Sequence, residues 1–479
     1  MNHLSKIPLQ KLSHIVNRPL ITALGALGIV LAPALAFAAQ GQGVPAILGI
    51  RGEFILFALT LIGVAVFHRK TMYVALIGLA SILIFKFLFM SGFSLSHHLF
   101  GHGQEEGEWR ILLNLLGLLF GFAILAKHFE ESKLPDILPN FLPAGWKGGF
   151  VLLAMITVLS SFLDNIAAAM IGGAIARIVF KGKVHIGFLA GIVAASNAGG
   201  SGSVVGDTTT TLMWIDGVSP LAVLHAFVAA VPALFIFGVF GALQQDKLQP
   251  IVATAVTDVK VDYGRLVIVF LILAFAIVTN WALDFPAAGV WIGIILGAFI
   301  RKTPWYEMKN AWMGTVFLMS LVTCASLMPV EDLPPASWVT AFVLGFVSAV
   351  FDNIPLTKLC LVQGGYDWGM LAYTVGFGGS MIWFGSSAGV ALSNQYPETR
   401  SAVAYVKNGW HVTVAYIVGF FILLGTMGWT PSPKRSDMQK SDLQPGTQIV
   451  EVVKELPKPP LMEHYCSKNQ GIPSGEGMP

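Results

Sequence analysis

The sequence predicts an all-α polytopic membrane protein with inverted-topology repeats, about 10 spans plus two re-entrant hairpins, and broken helices at a polar site. Three observations lead there. The 479 residues are 55% hydrophobic and only 11% charged, against roughly 25% charged in an ordinary soluble domain. A polar pattern occurs twice inside apolar sequence, as Ser160-Ser161-Phe162-Leu163-Asp164-Asn165 and as Ser348-Ala349-Val350-Phe351-Asp352-Asn353-Ile354-Pro355. Each copy precedes a glycine-broken stretch, Gly199-Gly200-Ser201 with Gly206 and Gly378-Gly379-Ser380 with Gly385. Charged groups at bilayer depth persist mainly where they face a cavity or an ion path, and duplicated broken helices point to a carrier site.

Taken in order, residues 1 to 39 combine Lys6, Lys11 and Arg18, an apolar run and a small-residue end, Ala34-Leu35-Ala36-Phe37-Ala38-Ala39. That is the pattern of a signal peptide cut after Ala38 or Ala39; a retained first span is the competing expectation. Repeat one then covers 50 to 243. Apolar runs near 54 to 67, 71 to 90 and 110 to 126 are of spanning or near-spanning length. Arg69-Lys70 is placed on the cytoplasmic side and the Glu105, Glu106 and Glu108 loop outside. Stretch 149 to 180 has basic residues beyond both ends and Asp164-Asn165 in the middle, so it is expected to be a re-entrant hairpin with a buried tip. Stretch 185 to 214 crosses with a break at Asn197 to Ser203, and 219 to 243 returns to a cytoplasmic linker at 244 to 263.

Repeat two, 264 to 429, starts from the opposite side. Runs 264 to 283, 286 to 300 and 311 to 329 lead to a hairpin at 336 to 363, a broken span at 369 to 393 and a last span at 410 to 429. The Pro- and Lys-containing tail, 430 to 479, is expected outside and disordered. The mature N-terminus is likewise expected outside, in a bacterial inner membrane. A dispersed net charge of +3 points to no nucleic-acid partner, and Cys324, Cys360 and Cys466 have no metal or redox spacing. No cofactor is expected; the partners are membrane lipid and the ions carried.

A broken helix inside protein frees backbone carbonyls and amides to act as ligands. A small hard cation such as Na+ takes oxygen ligands: carboxylate, amide carbonyl, hydroxyl and backbone carbonyl. Repeat one offers Asp164, Asn165, Ser160 or Ser161, the stretch from Asn197 through Gly199 to Ser201, and Asp207 with Thr208 or Thr209. Repeat two offers Asp352, Asn353, Ser348, and Gly378 to Ser380 with Gly379 between. Na+ itself is expected at Asp164, Asn165, Asp352 and Asn353. A buried carboxylate holds a proton or a cation, each excluding the other, which suffices physically for Na+ (or Li+) to be exchanged for H+.

The Asp-Asn motifs, Ser196-Asn197-Ala198-Gly199-Gly200, Gly206-Asp207-Thr208-Thr209-Thr210-Thr211-Leu212-Met213-Trp214 and Gly385-Ser386-Ser387-Ala388-Gly389-Val390 resemble the NhaD-type sodium/proton antiporters. Those belong to the ion transporter superfamily, with arsenite permeases and dicarboxylate/sodium symporters as relatives. The likeness covers roughly residues 50 to 430. It implies a homodimeric, elevator-type carrier whose hairpins and broken helices move past a scaffold. The superfamily's anion symporters carry Ser-Asn-Thr at the hairpin tips, where this chain has carboxylates that repel an anion. Asp207 has no carboxylate counterpart in repeat two, where Ser386 aligns.

Other assignments stay open at this level. The aspartates also suit helix N-caps, and Thr208 to Thr211 also suit helix packing. Lys358 either pairs with a carboxylate or snorkels to the interface. His97, His98 and His102 lie in an acidic loop that is either solvated or responsive to pH or metal. His411 and Lys86 near span ends suggest the membrane interface. Carriage of arsenite, silicate or a small organic anion is the alternative function. An intramembrane aspartyl protease is a remote one, since Gly-x-Gly-Asp is absent, Gly206-Asp207 being preceded by Val204-Val205.

Overall fold

Long apolar runs closed by caps set the helices. The computed structural model describes residues 45–47, 49–67, 70–102, 105–251 and 259–433. The expected signal segment 1 to 39, Arg69, Cys466, the tail beyond 433 and the middle of the 244 to 263 linker lie outside the described residues, as does the side chain of His102. The chain divides after Ser432, and every helix described below belongs to the unit that ends at that residue.

Apart from two short antiparallel strand pairs, 46–47 with 50–51 and 101–102 with 105–106, the secondary structure is helical. Five helices among the described residues are long and apolar enough to cross a membrane: Thr71–Phe89, Trp109–Glu131, Pro220–Leu248, Tyr263–Leu283 and Trp410–Met427. The remaining apolar helices are shorter, and the sequence shows why. Asp164, Asp207, Asp352 and Ser386 each stand at an N-cap, accepting a hydrogen bond from the backbone two or three residues on. Such side chains stabilise a helix start and so end any continuous span there.

The helices sort into two packed groups. The first contains Gly52–Val66, Thr71–Phe89, Trp109–Glu131, Tyr263–Leu283, Pro286–Gly297 and Tyr306–Ser326. Gly289, Gly293 and Gly297 recur every fourth residue along Pro286–Gly297, and a Cβ on any of them would strike Phe275, Ile272 or Ile268 of Tyr263–Leu283. Small residues at that spacing let two backbones meet where no hydrophobic effect drives helices together. Asn114 accepts from Ala287 N at 3.2 Å, and Trp291 Nε1 donates to Gly117 O at 3.1 Å, fastening this pair to Trp109–Glu131.

The second group contains two helix-turn-helix units, Trp146–Ser160 with Asn165–Val179 and Trp338–Ser348 with Asn353–Gln363. With them pack two broken spans, Ile186–Ser201 with Thr208–Ile215 and Trp368–Gly378 with Ser387–Gln395, and the helices Phe227–Leu248 and Trp410–Met427. A row of rings runs through it: Phe342, Tyr416, Tyr373 and Phe377, with successive centroids 5.7, 5.8 and 5.3 Å apart. The groups meet chiefly where Tyr306–Ser326 packs on Asn353–Gln363 and Trp109–Glu131 packs on Thr208–Ile215.

Candidate functional site

Both helix-turn-helix tips grip a broken span through a serine. Ser160 Oγ donates to Ser196 O at 2.5 Å, and Ser348 Oγ donates to Val375 O at 2.7 Å. Ser161 Oγ adds bonds to Thr157 O at 3.1 Å and Gly199 O at 3.3 Å. Beyond the serines the chain turns, and Asp164 and Asp352 accept from Ile166 N at 3.2 Å and Ile354 N at 3.0 Å.

The break expected at Asn197 to Ser203 falls later in the chain: Ile186–Ser201 is continuous helix, and the break runs from Gly202 to Asp207. Trp368–Gly378 likewise stays helical to Gly378. The glycines serve close approach rather than unwinding. A Cβ on Gly199 would collide with Thr157 O, one on Gly206 with Ser160 O, and one on Gly378 with the Gly345 backbone. Each broken helix therefore crosses a hairpin arm at backbone contact, which only glycine permits.

The side chains carried by these matched backbones differ. Asn165 Nδ2 donates to Asn197 Oδ1 at 3.0 Å, and Asn197 Nδ2 donates to Ser380 Oγ at 2.9 Å. One buried chain of amides thus joins the first tip to both broken spans. In repeat two the position matching Asn197 is Gly376, and Asn353 Nδ2 is buried with no hydrogen-bond partner among the described residues. Asp207 caps Thr208–Ile215 through Oδ1, 3.3 Å from Thr209 N, while its Oδ2 is buried and makes no hydrogen bond among those residues. Gly376 leaves room for that oxygen: a Cβ there would lie 3.4 Å from Asp207 Oδ2. Thr210 and Thr211 spend their hydroxyls on carbonyls of the break, at Ser203 and Val204 and at Asp207 itself, and so fix its course.

A cavity of about 190 Å³ opens between the two groups of helices. Asp164, Asp207, Thr208 and Thr211 form its polar wall; Leu115, Leu118, Phe122 and Leu318 are among the apolar residues opposite. Of the sequence-expected ligands, the structure brings Asp164, Asp207 and Thr208 to one space and links Asn165, Asn197 and Ser380 behind them. Ser161 and Gly199 bond each other in the adjoining turn. Asp352, Asn353, Ser348 and Gly379 are not on this cavity, although Asp207 lies within electrostatic range of both Asp164 and Asp352. Among the described residues no group of three His, Cys, Asp or Glu side chains has the arrangement of a metal site.

Four further positions bear on what the sequence left open. Lys358 does not snorkel: it is fully buried, with Nζ 2.8 Å from Glu108 and 3.4 Å from Asp216. His411 is completely buried within the protein, and Lys86 is nearly so, over the Phe93 ring at 5.3 Å. His98 Nε2 bonds Ser326 Oγ at 3.0 Å, and burial holds its pKa below the ordinary histidine value. The apolar residues of the third spans that wall the cavity, and the partners Glu108 and Asp216, were not among the sequence candidates; the run of Leu and Phe near Leu115 reads as lipid-facing or core with equal ease.

Fold and site together define a polytopic helical membrane protein with a carboxylate-lined cavity at paired helix breaks. Comparison with known proteins narrows the class. The chain is 27% identical to the Na(+)/H(+) antiporter NhaD of Vibrio parahaemolyticus over 63% of its own length and 88% of that protein. It is 26% identical to Sodium/proton antiporter 1 of Arabidopsis thaliana over 59% of the chain, a match that spans 56% of that relative. It is 25% identical to NhaD of Alkalimonas amylolytica over 58% of the chain and 68% of that protein. No protein-family model matches the chain. These relatives are transporters, not enzymes, and the chain is an integral membrane protein related to the NhaD-type sodium/proton antiporters.

Proposed function

We propose that the chain exchanges Na+ (or Li+) for H+ across a membrane, with cation and proton alternating at Asp164 and Asp207. The observation that carries this is their convergence on one cavity, with one Asp207 oxygen buried and making no hydrogen bond among the described residues. Two negative charges facing one largely apolar space require neutralisation, by a proton or by a cation. Thr208 supplies a neutral oxygen beside them, as a hard cation prefers. Asn165, Asn197 and Ser380 hold the first tip to both broken spans, so they brace the ligands rather than line the space. In repeat two Ser348 braces the broken span at Val375 O, and Asp352 caps its own helix, so neither is placed in the ion-binding set here.

In this proposal the helix-turn-helix units are re-entrant, the two halves are inverted repeats, and the second group of helices moves elevator-fashion past the first within a homodimer. The matched order of elements in the two halves, and the packing of both halves' hairpins and broken spans into one group apart from the other helices, support that motion. The names of the relatives support the ion pair Na+ and H+.

The test is pH-gradient dequenching in everted vesicles from an antiporter-deficient host, with NaCl, LiCl, KCl and succinate added in turn. Wild type should respond to Na+ or Li+, and Asp164→Asn and Asp207→Asn should abolish the response. A response to succinate alone, or none to any cation at normal protein levels, overturns the proposal.

A further inference from the structure

Outside the cavity, the cluster of buried charge that bridges the two groups of helices is Lys358 with Glu108 and Asp216. Lys358 belongs to the second helix-turn-helix, and Asp216 closes Thr208–Ile215, the helix that Asp207 begins. Glu108 precedes Trp109–Glu131 and so belongs to the first group. The side chains of Lys358, Asp216 and Glu108 are 0%, 7% and 15% exposed. Other ion pairs among the described residues, such as Arg265 with Glu131 and Arg301 with Asp262, stay within the first group and its flanking loops. The Lys358–Glu108 pair ties one group to the other by charge.

Its place along the helices matters. The cavity follows Trp109–Glu131 from Leu115 to Ala126, and on Tyr306–Ser326 it follows the first half, from Ala311 to Leu318. At 1.5 Å per residue, Glu108 stands about 10 Å before the nearest of those residues and about 27 Å from Ala126. The ion pair therefore closes the end of the interface away from the cavity. His98 and Ser326 meet at the same end.

We infer that Lys358 is a positioning residue with two partners of different duty. Its contact with Asp216 locks the Asp207 helix to the second helix-turn-helix as one moving body. Its contact with Glu108 latches that body to the first group and keeps the Glu108 end shut. The inference rests on the proposed movement of the second group past the first. A carrier cycle in that scheme breaks Lys358–Glu108 and preserves Lys358–Asp216. A buried cation that loses both partners is strongly disfavoured, whereas one that keeps a carboxylate throughout is tolerated. The second carboxylate is what makes the first releasable.

The experiment reads cavity access, not exchange. Gly314 lines the cavity, and a Cβ there meets nothing within 4 Å, so Gly314→Cys introduces a thiol without crowding. In full-length protein with Cys324, Cys360 and Cys466 replaced, an impermeant thiol reagent is applied to vesicles of each orientation in choline buffer. With Glu108 intact, labelling should come from the Lys127 side. In Glu108→Gln the ratio of labelling from the Glu108 side to that from the Lys127 side should rise about tenfold, with Glu108→Asp between the two. Asp216→Asn should lower apparent cation affinity without raising that ratio to the same extent. Equal labelling from both sides with Glu108 intact, or an unchanged ratio in Glu108→Gln, overturns the latch. If Glu108→Gln does not reach the membrane, an unchanged ratio in Glu108→Asp does the same. Because labelling requires no transported ion, failure of Na+/H+ exchange in vesicles leaves this result standing, and the two ideas fall separately.

Discussion

The two halves share a backbone and differ in what it carries. Ser160 and Ser348 bond equivalent carbonyls, Gly199 and Gly378 make equivalent crossings, and Asp164 and Asp352 cap equivalent helices. Yet Asn197 is matched by Gly376 and Asp207 by Ser386, and only the first half brings its carboxylates to the cavity. Duplication supplied the geometry of two helix breaks; the chemistry is concentrated at one of them. A carboxylate in the second broken span as well, at the buried Ser386 position, would add a further charge to desolvate unless a cation or proton were bound there.

Pairs of substitutions at matched positions break or sharpen this contrast. The largest effect is expected at the carboxylates. Asp207→Asn and Asp164→Asn keep a good N-cap but remove a charge, and should lower Na+-dependent exchange in vesicles by about 100-fold or more, a loss of roughly 3 kcal/mol of interaction. Ser386→Ala should stay within a few-fold of wild type; comparable losses in both halves would end the asymmetry.

Next comes Lys358. Six residues past the aspartate, repeat one has Met170 where repeat two has Lys358. Lys358→Met removes the buried cation that Glu108 and Asp216 share and should cost about 3–5 kcal/mol, seen as a large fall in the melting temperature of detergent-solubilised protein. Met170→Ala should fall well short of that.

The glycine crossings should behave alike. Gly199→Ala and Gly378→Ala each drive a methyl into a facing backbone, so both should destabilise by about 1–3 kcal/mol in the same melting assay. A large difference between them would show that the shared backbone is less equivalent than the hydrogen bonds indicate. Asn197→Ala should then cost about 1–3 kcal/mol by leaving Asn165 and Ser380 without their partner. Gly376→Ala meets Ser201 Cβ at 3.3 Å, Asp207 Oδ2 at 3.4 Å and Ser201 Cα at 3.7 Å, none of them a collision, and should cost less.

Smallest of all should be Asp352→Asn. It preserves the cap on Asn353–Gln363 and lies off the cavity, so exchange should fall a few-fold at most. Loss as complete as in Asp164→Asn would return Asp352 to the ion-binding set.

What could be read from the sequence depends on the range of the interactions involved. Helix runs were legible to within a few residues because apolar length and caps act locally: the expected hairpins at 149 to 180 and 336 to 363 correspond to the helix-turn-helix stretches 146–179 and 338–363. Asp164, Asp207 and Asp352 were legible as caps for the same reason, since an aspartate at the N-cap position accepts from a backbone amide of its own first turn. Gly206 and Gly385 lie in the breaks, whereas Gly199 and Gly378 stay helical and serve close crossing rather than unwinding. A glycine that permits unwinding and one that permits close crossing look identical until the opposing backbone, here Thr157 and Ser160, is in place.

By itself, then, the sequence determined the elements, their breaks, the duplicated polar residues and the likeness to a carrier family, all written in neighbouring residues. Tertiary structure alone decided that Asp164 meets Asp207 and Thr208 on one cavity, that Asn165 reaches Ser380 through Asn197, and that Lys358 pairs with Glu108 rather than with lipid headgroups. Each of those contacts joins segments far apart in the chain. Their selection depends on how whole helices pack and which buried charges can be matched, a condition that no local pattern encodes.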